Sequence, residues 1–140
     1  MRASRLGEGP IISANSDQSI GRNIQGPSVI GVPDWVVEPL GRFYLYFADH
    51  KGGHIRLAYA DAVEGPWTVH SPGALGLADS HFLTEEIELD DATFASIEAA
   101  YSEALGDAAP VDLRSDLVTP HIASPDVHVD DDRRQVVMYF

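Results

Sequence analysis

Apolar and polar residues alternate through the first half of the chain in the pattern of short β-strands. From Gly41 to His70 the sequence reads GRFYLYFADHKGGHIRLAYADAVEGPWTVH, in which aromatic and aliphatic runs are separated by glycine-containing turns. An earlier β-branched run is bounded by a proline at each end, which favours a strand with sharp limits. The predicted strands, in chain order, are 28–32, 43–48, 55–60 and 67–70. Short strands joined in succession by turns predict an antiparallel meander.

The strand 43–48 is apolar or aromatic on both of its faces, so we expect both faces to be buried. The segment that follows it, 49–53, is a turn by composition. It contains Gly52 and Gly53, and adjacent glycines accept the positive φ that tight hairpins require. The sequence therefore predicts a hairpin here, with its positive φ at the glycines.

The composition changes after this meander and predicts one α-helix. Asp91 is the expected N-cap of a helix from about 92 to 105, which Gly106 ends. Its apolar residues recur at spacings of three and four and predict an amphipathic helix; they are Phe94, Ile97, Tyr101 and Leu105.

The last segment returns to β character. Residues 127–129 alternate, 130–134 form a polar turn, and 135–140 are strongly β-forming. The sequence stops within this apolar run, and an unpaired apolar strand is an aggregation hazard. We therefore expect the chain to be the N-terminal fragment of a longer protein.

The charge balance changes the range of expected partners. The chain carries 9 Lys and Arg against 22 Asp and Glu, a formal net charge of -13. Such a chain repels nucleic acids and anionic membranes but leaves room for a neutral ligand such as a sugar. It lacks cysteine, so it has neither disulfides nor thiolate metal ligands. No export signal or run of about 18 apolar residues is visible, which favours a soluble, acidic protein that is cytoplasmic by default.

Two segments of the chain follow a common pattern, SVIGVPDWVVEPLGRFYLYFADH and SPDVHVDDDRRQVVMYF. Each has a Pro near a Ser, a short β run, a polar turn and an aromatic strand ending in Tyr-Phe or a similar sequence. Repeated four-stranded meanders of about 40 to 50 residues are typical of β-propeller blades. The chain is long enough for one blade and the beginning of a second.

The order GPSVI, GRFYLYFADHKG, IRLAYAD, GPWTV, SPDVHVDDD and VVMYF resembles the five-bladed β-propeller glycoside hydrolases, and in particular uncharacterised bacterial relatives of family 43. The resemblance covers roughly 23–70 and 121–140. It implies an all-β fold, a partial five-bladed propeller of about one and a half blades with an inserted helix. The implied parts are a lead-in at 1–25, a first blade at 26–70, a helical insertion at 85–110 and the start of a second blade at 121–140.

The resemblance also implies an activity, the hydrolysis of glycosidic bonds in plant or algal polysaccharides. Members of this superfamily use Asp and Glu residues at the inner strands of the first three blades, one carboxylate as acid and another as base or nucleophile. Their first-blade Asp-Pro aligns with Gly26-Pro27, and their second-blade Asp-Pro aligns with Ser124-Pro125. The third-blade Glu would lie beyond Phe140.

Two other acids are candidates for the catalytic role. Asp126 lies two residues after Ser124 and would share its face of an extended strand. Asp34 precedes Trp35, and an acid beside a tryptophan is typical of sugar-stacking sites. For both acids the alternative is a turn-forming or solvated carboxylate.

The remaining candidates are ligand contacts: Trp35, His50, Lys51, His121 and Ser124. Imidazole titrates near neutral pH and suits hydrogen bonding or proton transfer to a sugar. We interpret the other histidines, His54, His70, His81 and His128, as ordinary strand or surface residues. No histidine spacing enforces a zinc site, and no cofactor is expected.

A non-catalytic alternative stays open at this stage. The replacements at Gly26 and Ser124 favour a carbohydrate-binding or interaction propeller, and this fragment by itself would be inactive because its ring cannot close. The sequence does not indicate an oligomeric state.

Overall fold

The computed structural model describes residues 9–108 and 110–140. Its main element is a four-stranded antiparallel sheet in which each strand pairs with the next along the chain. The strands are β1 (Ile24–Gly31), β2 (Phe43–Asp49), β3 (His54–Ala60) and β4 (Thr68–Gly76). The predicted meander is confirmed, and the described part of the chain is mostly β.

A second, two-stranded antiparallel sheet is formed by β5 (Asp126–Asp130) and β6 (Gln135–Tyr139). β5 lies beside β1, where the Val127 amide donates a hydrogen bond of 2.9 Å to Ser28 Oγ. This contact joins the main sheet to the β5–β6 hairpin across the helical segment between them.

The central strand β2 is buried on both faces, as its sequence predicted. On one face Tyr46 and Ala48 pack with Ile122 and Val127 from the second half of the chain. On the other face Leu45 and Phe47 pack with Ile20 and Ala58. The core therefore has two layers, one on each side of β2.

Ile20 also corrects the expectation that the lead-in adds little core, because its side chain is fully buried. The first eight residues of the predicted lead-in lie outside the described residues.

Two strands extend further than the sequence predicted. β1 begins at Ile24 because a register shift between Gln25 and Ser28 lets the strand continue through Pro27. β4 runs on to Gly76, and Gly73 adopts a φ of 74° close to the Ile55 carbonyl of β3. Irregular pairing of this kind leaves no periodic signal in the sequence.

The hairpin between β2 and β3 lies where it was predicted, but its positive φ was assigned to the wrong residue. Lys51 adopts a φ of 106°, whereas Gly52 and Gly53 do not have positive φ. The Gly52 amide donates to the Asp49 carbonyl at 2.8 Å and closes the turn. The Lys51 side chain forms an ion pair with Asp116, so a tertiary contact favours this backbone conformation.

The residues that the structure describes include two α-helices where one was predicted, α1 (Asp91–Leu105) and α2 (Leu113–Val118). The N-cap of α1 is Asp90 and not Asp91, because Asp90 Oδ1 accepts hydrogen bonds from the amides of Ala92 and Thr93 at 3.0 and 2.9 Å. α2 is too short to produce a periodic pattern, and it falls beyond the predicted limit of the insertion.

No residue of α1 is buried, so its apolar residues do not join the core of the sheet as an amphipathic helix would. Instead, Arg114 of α2 holds the first turn of α1. The Arg114 guanidinium donates to Leu89 O at 2.9 Å and to Asp91 Oδ1 at 2.7 Å, and lies 4.3 Å from the Phe94 ring centroid. Among the described helices, none has the length and apolar character needed to cross a membrane.

Candidate functional site

The starts of β1 and β5 meet, and the two strands run in the same direction. Gly26 contacts Ser124 at the start, and Ser28 contacts Val127 further along. We call this side of the molecule the strand-start end. It is where the sequence placed most of the candidate residues.

Gly26 is required by the backbone at this end. It adopts a φ of 62°, and a Cβ built on it would lie 2.6 Å from Ser124 Cα, which is closer than real Cβ contacts come. Neither an aspartate nor any other side chain fits here without movement of the backbone. A carboxylate, which the resemblance noted in the sequence would align with Gly26, therefore has no room at this position.

Asp126 is the first residue of β5, and its side chain is 67% exposed. Its Oδ2 lies 2.9 Å from His128 Nε2, and the His128 ring lies edge-on to Tyr139 at 6.0 Å between centroids. Carboxylate, imidazole and phenol thus share one exposed face of the β5–β6 hairpin.

One sequence expectation about this group was wrong. Ser124 has a φ of 55° and precedes the strand, so strand alternation does not place it on the face of Asp126. His128 is an exposed strand residue, as the sequence indicated, and it shares the face of Asp126 because residues two apart in a strand point the same way.

The hairpin between β2 and β3 brings two more predicted residues to the strand-start end. His50 Nδ1 lies 2.8 Å from Gln25 Nε2 at the start of β1. Lys51 pairs with Asp116 of α2, so its positive charge is already compensated. His50 thus lies at the strand-start end, and its contact with a ligand stays a prediction, while Lys51 has an evident structural role.

His121 lies in the segment that leads into β5. Its Nδ1 is 2.9 Å from Thr119 O, and the next amide, that of Ile122, donates to Gly52 O at 3.1 Å. His121 and His81 lie on opposite walls of an open cleft of about 450 Å³. The sequence pointed to His121 but not to this cleft.

Asp34 and Trp35 lie at the other end of the strands. Trp35 Nε1 donates a hydrogen bond of 2.8 Å to Asp131 Oδ1, in the turn that follows β5. Asp131 is five residues beyond Asp126, and an extended strand of that length spans roughly 16 Å. The structure therefore separates the predicted pair of acids, Asp34 and Asp126.

The chemistry available at the strand-start end is that of exposed carboxylate and imidazole groups. Among residues 9–108 and 110–140, no three His, Asp or Glu side chains are grouped so that they could hold a metal ion. The arrangement suits hydrogen bonding and proton transfer to a polar ligand.

Comparisons with known proteins give one relative of unknown activity. An uncharacterized protein of Acanthamoeba polyphaga mimivirus is 34% identical over 125 residues, which are 84% of this chain. The chain spans 28% of the length of that relative. No protein-family model matches the chain, and no solved structure matches it.

Proposed function

We propose that this chain forms the first blade and the beginning of the second in a five-bladed β-propeller related to the glycoside hydrolases, and that the propeller hydrolyses plant or algal polysaccharides. The observation that carries the proposal is the parallel contact of β1 and β5. In a propeller, the first strand of each four-stranded meander lies next to the central axis beside the first strand of the neighbouring blade.

A local repeat supports this assignment. Gly26-Pro27 lies near the beginning of β1 and Ser124-Pro125 comes immediately before β5, and both residues before proline have a left-handed φ, 62° and 55°. This conformation is uncommon for a serine, so its recurrence at the starts of both strands favours two copies of one structural unit.

The face of the sheet opposite β5 also supports further blades. It carries an apolar cleft of about 330 Å³, and Val29 at its edge is 46% exposed. Side chains that line the cleft include Ile12, Ile24 and Leu45. A ring-closing blade, supplied by residues outside this chain, would cover this surface.

Asp126 is the residue we assign to acid or base catalysis. It lies at the strand-start end, is open to solvent and is hydrogen-bonded to His128. Glycoside hydrolysis needs a second carboxylate about 5 to 9.5 Å from the first. Asp34 adjoins Trp35, which contacts Asp131 at the other end of β5, roughly 16 Å along the strand from Asp126. We therefore assign the partner carboxylate to another blade.

The proposal is tested with the longest protein that carries this chain. It would be incubated with arabinan, arabinoxylan and related oligosaccharides, and the release of reducing ends would be measured. We expect release by the native protein and its loss in Asp126→Asn. Release that is unaffected by Asp126→Asn would overturn the assignment of this residue.

A second candidate function is carbohydrate binding without catalysis. Gly26 favours it, because the backbone there has no room for the carboxylate that the hydrolases carry. Binding of oligosaccharides without any release of reducing ends would support this alternative. Release of reducing ends that depends on Asp126 would exclude it.

A further inference from the structure

The cleft at the strand-start end lies between two loops. One wall is the turn that follows the short 3-10 helix Leu77–Asp79, and the other is the segment between α2 and β5. The cleft is open and has a volume of about 450 Å³. The residues that line it are His81, Phe82, Leu83, Thr119, Pro120 and His121.

Both walls are attached to the same hairpin. The Leu77 amide donates to Gly53 O at 2.8 Å, and the Ile122 amide donates to Gly52 O at 3.1 Å. Neighbouring carbonyls of the β2–β3 turn therefore hold one wall each. The same turn of the main sheet therefore anchors both segments that line the cleft.

The first wall carries an exposed aromatic side chain, that of Phe82. Ser80 is buried, its Oγ donates to Leu77 O at 2.6 Å, and it accepts from the Phe82 amide at 3.1 Å. His81 between them has a φ of 65°, a strained conformation for a residue other than glycine. Phe82 remains 51% exposed as a result. A strained turn that exposes a large apolar ring indicates a binding surface.

The exposed ring contacts the end of β6. The Phe82 ring centroid is 5.4 Å from that of Phe140, which follows Tyr139. Tyr139 pairs with Asp126 across the hairpin, and successive residues of an extended chain face opposite ways, so Phe82 packs on the other face of the hairpin from Asp126. The cleft and the acid thus share the strand-start end but not one face.

The second wall offers an unused imidazole nitrogen. Thr119 O can only accept, so the hydrogen bond at His121 Nδ1 places the proton of the neutral ring there. His121 Nε2 then remains an acceptor for a ligand hydroxyl.

We propose that this cleft is a sugar-binding subsite at the strand-start end. Phe82 stacks on the apolar face of a sugar ring, and His121 Nε2 accepts a hydrogen bond from a sugar hydroxyl. The lining has no carboxylate, ammonium or guanidinium group, and the net charge of -13 repels anions, so the ligand is a neutral glycan. The subsite rests on the carbohydrate ligand of the proposed function, although it does not require hydrolysis.

The test is isothermal titration of the protein with xylohexaose and with a linear arabinan hexasaccharide. Phe82→Ala should weaken binding about tenfold, the size expected for loss of one aromatic stacking contact. Phe82→Trp should retain binding because it retains a stacking surface. Tyr101→Ala is the matched control, since it removes an exposed aromatic ring from α1 and should leave binding unchanged.

The outcomes separate the two proposals. Binding that Phe82→Ala leaves unchanged would overturn the subsite while leaving a carbohydrate function intact. Binding that depends on Phe82 without any hydrolysis would support the subsite and overturn the hydrolase. A dimer in sedimentation experiments that Phe82→Ala dissociates would show a second copy in the cleft and overturn the subsite. Neither binding nor hydrolysis of any glycan would overturn both proposals.

Discussion

Gly26 and Ser124 lie in backbone contact at the starts of two neighbouring strands, although 98 positions separate them in the sequence (124 minus 26). A Cβ on Gly26 would lie 2.6 Å from Ser124 Cα. The contact is possible only because one of the two residues is a glycine. The contact therefore joins the first sheet to the β5–β6 hairpin. It also leaves no room for a carboxylate at position 26 of the strand-start end.

Gly26→Ala should destabilise the protein by about 2 to 4 kcal/mol, through left-handed strain and overpacking against Ser124. Gly31→Ala is the matched control, because it lies in the same strand and its Cβ would meet nothing within 4 Å. Urea unfolding monitored by tryptophan fluorescence measures both. Equal effects of the two substitutions would contradict the backbone contact.

Alkaline pH should destabilise the sheet through Tyr46. Burial raises the pKa of Tyr46 above its ordinary value of 10.0, and the nearby Tyr44 adds to the effect. A raised folded-state pKa means that the stabilisation is complete below pH 10 and is lost as the pH rises through the folded pKa. The urea concentration at the midpoint of unfolding, measured from pH 8 upward, should therefore decrease above pH 10.

Tyr46→Phe should make that alkaline decline shallower, because the buried phenol no longer ionises. Tyr101→Phe is the control, since Tyr101 lies on the exposed surface of α1. An unchanged decline in Tyr46→Phe would show that other groups cause the loss of stability.

Acid should fray α1 before it affects the sheet. Hydrogen bonds from the side chain and the backbone of Thr93 hold the pKa of Asp90 below its ordinary value of 3.8. The cap is therefore fully formed above pH 3.8 and is lost as the pH falls through the lower folded pKa. Amide hydrogen exchange should show faster exchange at Ala92 and Thr93 in Asp90→Ala at neutral pH, with β2 and β3 unchanged. Faster amide exchange across the sheet in Asp90→Ala would contradict the expectation that α1 opens without affecting the core.

Trp35→Phe should cost about 0.5 to 1.5 kcal/mol, the usual size of one hydrogen bond, because it removes the donor to Asp131. Glycan binding should be unaffected, since Trp35 lies at the end of β5 away from Asp126. A large loss of glycan affinity in Trp35→Phe would restore the sugar-stacking role that the sequence suggested.

The local elements could be predicted from the sequence because alternation and turn residues determine them. The hairpin between β2 and β3 and the helix near 92–105 are the clearest examples. The extra length of β4 could not be predicted, because it depends on the close approach of Gly73 to Ile55 in the neighbouring strand. The burial of Ile20 could not be predicted either, since it depends on the packing of the lead-in against β2.

The site was predictable only in part. His50, His121 and Asp126 were identified by their position at turns and strand starts, and the structure brings them to one end. Asp34 was placed with them because it precedes Trp35, but the direction of β1 carries both residues to the opposite end. Phe82 lies in a loop without periodicity, so only the folded structure shows its exposure.

The most direct test of the central claim compares Asp126→Asn with Asp34→Asn in hydrolysis of arabinoxylan oligosaccharides. The account predicts a fall in kcat of about 10²- to 10⁴-fold for Asp126→Asn, the usual contribution of a general acid or base, and no change for Asp34→Asn. A loss of activity in Asp34→Asn together with full activity in Asp126→Asn would contradict the claim that the chemistry lies at the shared start of β1 and β5.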